Sequence, residues 1–251
     1  MQQPLFSIIT ANLNSGRKLE RTVASIIGQP VDYEHLIFDG ASSDGSRELG
    51  ERLAAASDRI RFSSEPDHGV YAAMNKGIAG AAGRYLYFIG AGDTLKPGSL
   101  AAIAPHLPED QCALVYGNVT AFGRTYDGEF TARKLTAANI CHQSAFYGRR
   151  VFEICGDFNE TYRVFADWEF NMRCFGAEKI RKIHVPVLVA DFEPGGISCG
   201  RDPEFERDRL RLIRGHLGLG RTSYACARVR KLRAEVRARI ARLSAARRLL
   251  P

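Results

Sequence analysis

Polar residues of the kinds that bind nucleotides recur directly after four apolar segments of this sequence. Asn12 follows the first segment, Asp39 the second, Asp67 the third and Asp93 the fourth. Carboxylate and amide groups can bond the hydroxyls of a nucleoside, and a carboxylate can also hold a divalent cation beside phosphates. Side chains of these types at four matching positions predict a binding site for a nucleoside diphosphate.

The apolar segments alternate with helical patterns through the first part of the chain. We predict strands over 5–10, 35–38, 60–63 and 85–89, and the first three are each followed by a loop and an amphipathic helix. This alternation predicts an α/β fold with a mainly parallel sheet and helices on both faces. Ligands of such sheets bind beyond the carboxyl ends of the strands, where all four loops lie.

After Asp93 the pattern changes to a mixed α/β region. The predicted elements there are a helix over 100–107, strands near 114–116, 119–122 and 125–130 with a turn at Asp127, a helix over 167–175, a strand over 183–189 and a helix over 204–217. The chain of 251 residues is long enough for one substantial core. We therefore predict one domain over 1–200, followed by C-terminal helices over 201–251.

The loop over 39–45 holds two carboxylates and two hydroxyls between a predicted strand and a predicted helix. Its glycines allow tight turns and a close approach of the backbone to a ligand. Ser43 or Asp44 could instead cap the following helix, a role that needs no ligand. Capping does not explain a carboxylate at the strand end, so we expect Asp39 to bind the nucleoside. For Asp44 both interpretations stay open.

Five segments resemble, in the same order, the motifs of the family 2 glycosyltransferases, which have the GT-A fold. The likeness spans about residues 5–195, and its segments are 7–12, 39–45, 64–77, 88–93 and 141–143. Five short motifs in the family's order are a specific signal. The resemblance implies an inverting enzyme that transfers a sugar from a nucleotide-diphosphate sugar, with a UDP-sugar favoured, to a glycan or lipid-linked acceptor in cell-surface polysaccharide or glycolipid synthesis.

The resemblance also implies roles for the residues that bind the donor. Thr10, Asn12 and Asp39 are implied to contact the base and ribose, and Asp67 and Lys76 to lie near the nucleotide or its diphosphate. Asp67 stands just before a predicted helix start, where it could serve as an N-cap. A phosphate would favour the same positive helix end, so both interpretations of Asp67 stay open.

The family position that matches Asp93 coordinates a divalent cation, Mg²⁺ or Mn²⁺, which neutralises the departing nucleoside diphosphate. A hard cation takes oxygen ligands from carboxylates and phosphates. The family usually has a second carboxylate or an asparagine just before this aspartate, whereas residues 90–92 here are Gly, Ala and Gly. The resemblance thus implies Asp93 as metal ligand and leaves cation dependence open. A turn aspartate that opens the next helix is the alternative.

Inverting transfer needs a base that takes the proton of the acceptor hydroxyl as this hydroxyl attacks the anomeric carbon. The segment 165–169, Phe-Ala-Asp-Trp-Glu, resembles the family's acidic pair at its catalytic helix, with Ala166 where a glutamate is often found. Asp167 is our candidate for the base, and Glu169 is its local rival. A plain helix cap is the alternative for Asp167.

His142 and Gln143 resemble a short family motif beside the acceptor and the diphosphate, where an imidazole could bond a phosphate or acceptor oxygen. A histidine with structural hydrogen bonds is the alternative. The other five histidines have no spacing typical of zinc sites. Six scattered cysteines form no Cys-x-x-Cys pair, so we expect reduced thiols and no structural metal.

The formal net charge of +7 is concentrated in the last part of the chain. Residues 221–251 carry ten Lys and Arg against Glu235, a local charge of +9, so the remaining chain carries −2 of the total. This distribution argues against nucleic acid as a partner of the domain. No segment has the length and composition of a membrane span or a secretory signal, so we expect a cytoplasmic protein.

Apolar residues recur at helical spacing in this tail, with arginines on the other faces, which predicts an amphipathic basic helix. These residues are Val229, Leu232, Val236, Ile240 and Leu243. Such a helix could lie on an anionic membrane surface, peripherally on the cytoplasmic face of the inner membrane, which would suit a lipid-linked acceptor. A coiled-coil homodimer and a helix packed on the domain are the alternatives.

Other enzyme classes lack their signatures in this sequence. The loop over 39–45 has no Gly-x-Ser-x-Gly of an esterase, and the loop over 11–16 has neither the glycine pattern of a dehydrogenase nor the lysine of a phosphate loop. The remaining alternative is a non-catalytic nucleotide-sugar-binding or scaffold protein of the same fold. It is motivated by the reduced acidic motif before Asp93 and by the tail.

Overall fold

The computed structural model describes residues 3–126, 128–193, 195–196, 200–220, 222, 224, 225 and 229. Within them the chain forms one mixed nine-stranded sheet flanked by helices. Most of the predicted basic tail helix lies outside the described residues, and so does Asp127 of the predicted turn. No helix in this part of the chain is long and apolar enough to cross a membrane.

The first half is the parallel α/β unit that the sequence predicts. Its elements are β1 (Phe6–Asn12), α1 (Arg17–Ile27), β2 (Tyr33–Asp39), α2 (Ser46–Ala55), β3 (Ile60–Ser64), α3 (Val70–Gly80) and β4 (Tyr85–Gly90). The strands run parallel in the order β3-β2-β1-β4. In this register Asn12 pairs with Asp39 and Asp39 pairs with Ser64. The predicted polar residues therefore come to one edge of the sheet.

The second half adds antiparallel strands to the sheet. Its elements are β5 (Thr94–Leu95), α4 (Ser99–Ile103), β6 (Ala113–Ala121), β7 (Arg124–Tyr126), α5 (Ala132–Leu135), β8 (Ala145–Gly148), α6 (Arg149–Cys155), α7 (Ala166–Gly176), β9 (Arg181–Asp191) and α8 (Pro203–Leu217). β8 lies between β4 and β6 and is antiparallel to both. β9 is parallel to β6, β5 pairs with β9, and β7 pairs with β6.

Several predicted elements have different bounds in the structure, and the strands predicted near 114–116 and 119–122 form the single strand β6. The predicted helix over 100–107 is α4 followed by a 3₁₀ turn, because Pro105 has no N–H for an α-helical hydrogen bond. The predicted strand over 125–130 is reduced to the three residues of β7. The Phe130 N–H donates to the Tyr116 hydroxyl at 2.8 Å instead of to a neighbouring strand. The chain is thereby directed toward α5.

Side chains of β4 are buried on both faces of the sheet. Tyr85, Tyr87 and Ile89 join one apolar cluster, whereas Leu86 and Phe88 join the other. A strand that is covered on both faces has a continuous series of uncharged, mostly apolar residues in its sequence, and β4 has this pattern. The covering helices hold the sheet rigid, so the polar loops beyond its strand ends have a fixed support.

Helix α8 packs on α7, which carries the candidate base. The Arg209 guanidinium lies 4.3 Å from the Trp168 ring and donates to the Thr136 carbonyl at 3.0 Å. Asp202 caps α8 and also accepts the Val164 N–H at 2.8 Å. The described part of the predicted C-terminal helices therefore lies against the same body as the strand-end loops.

Thr10 and His35 form a buried pair between β1 and β2. The Thr10 hydroxyl oxygen lies 2.9 Å from His35 Nε2, and neither residue has solvent exposure. His35 Nδ1 has no hydrogen-bond partner among the described residues. Burial lowers the pKa of His35 to about 3, because a charged imidazole cannot be hydrated there. His35 is therefore neutral in the folded protein at ordinary pH.

A neutral buried His35 makes the stability depend on pH. Below the unfolded pKa of about 6.5 the unfolded chain binds a proton that the folded chain does not, so stability falls as pH drops from 6.5 toward 3. The contribution of this one group is about 1.4 kcal/mol per pH unit. We expect His35→Gln to flatten the profile of unfolding free energy, measured by urea denaturation between pH 6.5 and 4.5. An unchanged slope would contradict this assignment.

Candidate active site

The loops at the carboxyl ends of β1 and β4 border a cleft of about 240 Å³. The start of α3, the turn at 142–143 and the segment after β9 complete its walls. This is the edge of the sheet at which the sequence predicts a ligand. The lining residues are Ala11, Asn12, Leu13, Ser15, Asp67, Gly69, Val70, Tyr71, Met74, Gly90, Ala91, Asp93, His142, Gln143, Val164, Phe192, Glu193 and Gly196.

Asp39 stands behind Asn12 and does not line the cleft. Its Oδ1 accepts hydrogen bonds from the Asn12 amide and the Ser42 hydroxyl, both at 2.5 Å. Its Oδ2 accepts the Ser42 N–H at 2.9 Å and the Ser64 hydroxyl at 2.6 Å. Burial acts to raise the pKa of Asp39, but these hydrogen bonds outweigh burial and lower the pKa. Ionised Asp39 therefore orients Asn12, which does line the cleft.

Of the other residues predicted to bind the donor, Asp67 lines the cleft, whereas Thr10 and Lys76 do not. Asp67 accepts the Gly69 N–H at 2.9 Å, so it shapes the entry into α3 while it faces the cleft. Thr10 is engaged in the buried pair described above. Lys76 Nζ lies on α3 and pairs with Glu65 Oε1 at 2.7 Å. Direct donor contacts by Asp39, Thr10 and Lys76 stay predictions.

The Asp44 carboxylate accepts hydrogen bonds from Ser46 at the start of α2. Its Oδ1 accepts the Ser46 N–H at 3.1 Å and the Ser46 hydroxyl at 2.6 Å. The Ser46 oxygen in turn accepts the N–H groups of Ser15 at 3.1 Å and Gly16 at 2.8 Å. These bonds tie the loop after β1 to the start of α2. The N-cap residue of α2 is Gly45, so Asp44 forms a local turn with Ser46 just before the helix, and both interpretations of Asp44 stay open.

Asp93 is the junction of three loops and is 4% exposed. Its Oδ2 accepts hydrogen bonds from the Gln143 amide at 2.7 Å and the Gly90 N–H at 3.2 Å, and its Oδ1 accepts the Glu193 N–H at 2.7 Å. Burial raises the pKa of Asp93, although these hydrogen bonds and nearby His142 act in the opposite direction. The carboxylate lines the cleft with most of its acceptor positions filled.

A divalent cation at Asp93 would find few ligands from the protein itself. In the part of the chain that the structure describes, no group of three or more His, Cys, Asp or Glu side chains could hold a metal ion. A carboxylate has about four acceptor positions, so one remains on Asp93 beside its three hydrogen bonds. Mg²⁺ commonly binds one or two carboxylates together with substrate phosphates and water. The residues fit a cation held jointly by Asp93 and a bound diphosphate.

A second cavity of about 470 Å³ adjoins the cleft. His142, Gln143, Val164 and Phe192 line both spaces and form the boundary between them. The residues that line only the second cavity are Val119, Ala121, Phe122, Tyr126, Asn139, Cys141, Phe165, Asp167 and Trp168. The candidate base and the candidate donor residues therefore line adjoining spaces that share four residues.

Asp167 carries a carboxylate that is held from several directions. Its Oδ1 lies 3.0 Å from the Tyr71 hydroxyl and accepts the Trp168 N–H at 2.8 Å. Its Oδ2 accepts the Asn139 amide at 2.9 Å and lies 3.4 Å from His142 Nδ1. Asp167 is the second residue of α7, and the N-cap residue Phe165 makes no side-chain cap bond. Contacts from Tyr71, Asn139 and His142, all outside α7, hold the carboxylate where it lines the second cavity.

Glu169, the local rival for the base, points away from both cavities. Its Oε2 accepts hydrogen bonds from the Arg173 guanidinium at 2.8 and 3.0 Å, and its Oε1 lies 3.4 Å from His216 Nε2. Burial acts to raise the pKa of Glu169, but His216 and Arg173 outweigh burial and lower the pKa. Glu169 lines neither cavity and joins α7 to α8.

Sequence reasoning missed the roles of several residues around the two carboxylates. Tyr71 and Gln143 stand inside segments that carry the family resemblance, so the sequence held a signal for them. Asn139 and Glu193 stand in no motif. They reach Asp167 and Asp93 only because the fold brings distant segments together, as the separations of 28 and 100 positions indicate.

Comparison with known proteins identifies the family. A family model described as Glycosyl transferase family 2 matches residues 7–178. PGL/p-HBAD biosynthesis glycosyltransferase of Mycobacterium bovis (strain BCG / Pasteur 1173P2) is 38% identical over 206 residues, which are 79% of this chain and 80% of that protein. Chondroitin synthase of Pasteurella multocida (strain Pm70) is 27% identical over 192 residues, which are 72% of this chain and 20% of that protein.

Solved structures share the fold. S. aureus TarS 1–349 in complex with UDP-GlcNAc has a TM-score of 0.69 and 17% identity, covering 88% of this chain and 69% of that one. Against a longer TarS structure the chain spans 41% of its length. Mannosyltransferase PcManGT from Pyrobaculum calidifontis, in complex with GDP-Man and Mn²⁺, has a TM-score of 0.62 and 16% identity, covering 98% of this chain and 81% of that one.

The sheet order, the strand-end cleft and the comparisons agree. Likeness at 16–17% identity establishes the fold, whereas the family match and the relative at 38% identity establish the family. The chain therefore belongs to glycosyl transferase family 2 and is a glycosyltransferase with the GT-A fold.

Proposed function

We propose that this glycosyltransferase transfers a sugar, with inversion, from a nucleotide-diphosphate sugar to a hydroxyl of a glycan or lipid-linked acceptor. A UDP-sugar is the favoured donor, and cell-surface polysaccharide or glycolipid synthesis is the favoured process. The main support is that Asp167 faces a second cavity that shares the wall 142–143 with the strand-end cleft. The UDP-GlcNAc complex of TarS supports the donor class, and the mycobacterial relative named for PGL/p-HBAD biosynthesis supports a biosynthetic role.

The donor would occupy the strand-end cleft. Asn12 is held by Asp39 with its side chain in the cleft, and Asp67 borders the same space. The diphosphate would lie near the start of α3, where Gly69 and Val70 line the cleft and the helix N-terminus carries partial positive charge. Thr10 would support the base through the backbone of β1, and Lys76 would approach the nucleotide from α3.

Asp167 would be the general base. Asp167 lines the second cavity, and its Oδ2 has one short hydrogen bond, from Asn139, and a longer contact to His142. As the acceptor oxygen bonds the anomeric carbon, its proton passes to Asp167, and the bond from that carbon to the phosphate oxygen breaks. Tyr71 and Asn139 act as positioning residues because they hold the carboxylate. His142 would bond the acceptor or a phosphate oxygen.

We expect Asp167→Asn to lower kcat by about 100-fold or more, because the transition state loses its proton acceptor. Turnover is measured as release of the nucleoside diphosphate from a donor panel with glycan and lipid-linked acceptors. Binding of UDP, measured by calorimetry, should change by less than about threefold, since Asp167 does not line the donor cleft.

Asp191→Asn is the matched control, because Asp191 is a half-exposed carboxylate that pairs with Lys96 outside both cavities. It should retain wild-type turnover. Full turnover of Asp167→Asn would contradict the role of Asp167. A wild-type protein that binds nucleotide sugars but turns over none of them with any acceptor would instead favour the non-catalytic scaffold.

Asp93 would hold a divalent cation, Mg²⁺ or Mn²⁺, together with the donor. When bound, such a cation neutralises charge on the diphosphate leaving group. Asp93 must be ionised for this role, and its burial makes that costly in the absence of a cation. A nearby positive charge would stabilise the carboxylate, so cation and donor should bind together.

We expect Mn²⁺ alone to bind weakly and to bind about tenfold or more tightly when UDP is present, because one carboxylate supplies too few ligands. Calorimetry with and without UDP measures this difference, and Asp93→Asn should abolish it. Chelation with EDTA should lower turnover, and Mn²⁺ should restore it. Equal Mn²⁺ binding with and without UDP, together with full turnover in EDTA, would contradict the cation role.

The basic tail would bring the enzyme to an anionic membrane surface on the cytoplasmic face, near a lipid-linked acceptor. Its ten Lys and Arg against one Glu support this assignment. Tyr224 packs against the Arg209 guanidinium at 5.3 Å, so a truncation should keep Tyr224. A version that ends at Ala225 therefore removes most of the charge and preserves this contact.

We expect the full chain to co-sediment with vesicles of phosphatidylglycerol and phosphatidylcholine at least about fivefold more than the version ending at Ala225, because the tail's positive charge attracts the anionic headgroups. Salt should weaken the difference, because the attraction is electrostatic. Equal sedimentation would contradict the membrane assignment. A dimer that light scattering detects only for the full chain would favour the coiled-coil homodimer instead.

A further inference from the structure

The second cavity has a predominantly apolar and aromatic lining around one carboxylate. Its aromatic side chains come from three separate segments of the chain, and they are Phe122, Tyr126, Phe165, Trp168 and Phe192. Asp167 and His142 are the titratable groups on its inner wall besides the buried thiol of Cys141. No lysine or arginine lines it within the described residues. The lining offers apolar contact over most of its area and few positions for a polar ligand.

The amides of this lining are already engaged within the protein. Gln143 donates to Asp93 at 2.7 Å and accepts the Cys141 thiol at 2.7 Å. Asn139 donates to the carboxylate of the candidate base at 2.9 Å and accepts the Asn171 amide at 2.9 Å. A site that binds several sugar hydroxyls needs hydrogen-bond donors and acceptors that have no partner within the protein. These amides have little such capacity left.

The indole of Trp168 is engaged as well, because its N–H donates to the Leu135 carbonyl at 2.7 Å. In the part of the chain that the structure describes, His142 Nε2 and the Tyr126 hydroxyl make no hydrogen bond. His142 Nε2, the Tyr126 hydroxyl and the remaining lone pair of the Asp167 carboxylate could together bind one hydroxyl and one further polar group. The cavity therefore suits a mostly apolar acceptor group whose reacting hydroxyl lies next to Asp167.

Exposed aromatic side chains stand at the rim of this cavity. Phe122 and Tyr126 are 57% and 52% exposed, and the Phe122 ring lies 5.6 Å from the Phe192 ring. Phe122 and Gly123 form the two-residue turn between β6 and β7, with φ of 51° and 68°. Such a turn favours Asn-Gly, and a left-handed conformation is costly for a bulky residue. Residues held in this way cluster at functional sites.

We propose that the second cavity binds an apolar, ring-bearing group of the acceptor next to the hydroxyl that receives the sugar, and that the β6–β7 hairpin covers this group with Phe122 and Tyr126. The assignment rests on the proposed function, because Asp167 must be the base for this cavity to be the acceptor side. His142 and Gln143 line both this cavity and the donor cleft, so an acceptor hydroxyl beside Asp167 would lie next to the bound donor. Aromatic rings stack favourably with such a group.

The test uses four hexoses and compares, for each hexose, its phenyl glycoside with its methyl glycoside. Binding to the full chain saturated with UDP is measured by calorimetry, so the readout does not depend on turnover. We expect the phenyl member to bind about tenfold or more tightly in every pair that binds. Equal affinity within the pairs, or no binding of any phenyl glycoside, would overturn the proposal. If phenyl glycosides bind more tightly than methyl glycosides but no donor supports turnover, the proposed transfer reaction is contradicted. Binding of a ring-bearing group in the second cavity is then still supported.

The variant Phe122→Asn separates acceptor binding from folding. Asparagine tolerates the left-handed turn, so we expect the Tm to stay equal or rise, while phenyl glycoside binding weakens about fivefold or more and UDP binding stays unchanged. Ile27→Asn is the matched control, because Ile27 is 56% exposed and lines neither cavity. Unchanged phenyl glycoside affinity in Phe122→Asn would overturn the role of the hairpin. An equal loss in Ile27→Asn would overturn it as well.

Discussion

The buried carboxylate of Asp93 is the interaction on which the site depends. It joins the end of β4 to the turn at Gln143 and to the segment that begins at Glu193, through hydrogen bonds of 2.7 Å to each of the latter two. These segments are 50 and 100 positions away in the chain. Because Gln143 is fixed in this way, its neighbour His142 stands on the wall between the two cavities.

This arrangement has an electrostatic cost. Desolvation of a carboxylate is unfavourable unless hydrogen bonds or a positive charge compensate it, and the raised pKa of Asp93 indicates that its hydrogen bonds compensate only in part. Asp39 is the opposite case, since four hydrogen bonds lower its pKa despite burial. The two strand-end aspartates thus serve the cleft differently. Asp39 stabilises a loop as an anion, whereas Asp93 is suited to gain a counter-charge from its ligand.

The second cavity, the proposed acceptor side, is held by a different set of contacts. Tyr71 comes from the helix that follows the third parallel strand, Asn139 from the segment after α5, and both reach Asp167 on α7. Asp202 binds the backbone just before α7, and α8 covers the outer face of that helix through Arg209 and Trp168. The carboxylate of Asp167 is therefore fixed by packing on both sides, which is the pre-organisation that a general base requires.

The sequence by itself determined the parallel α/β half, the cleft at the strand ends and the family. Alternation between apolar strands and amphipathic helices specifies that topology, and the motifs lie at loops whose meeting point follows from parallel strands. Asn12, Asp67, Asp93 and His142 line the cleft as that reasoning predicts. The spacing of motifs along a chain, however, does not specify which side chains become hydrogen-bond partners.

Only the tertiary structure decided which contacts the side chains around these loops make. Asp39 supports Asn12 from behind because Ser42 and Ser64 saturate it, and Lys76 pairs with Glu65 outside the cleft. The second cavity is formed by segments from 119 to 192, which carry little local pattern. Its lining depends on pairing between strands far apart in sequence and on helix packing, so no single segment encodes it. Long-range contacts of this kind distinguish Asp167 from Glu169, two residues on the same helix.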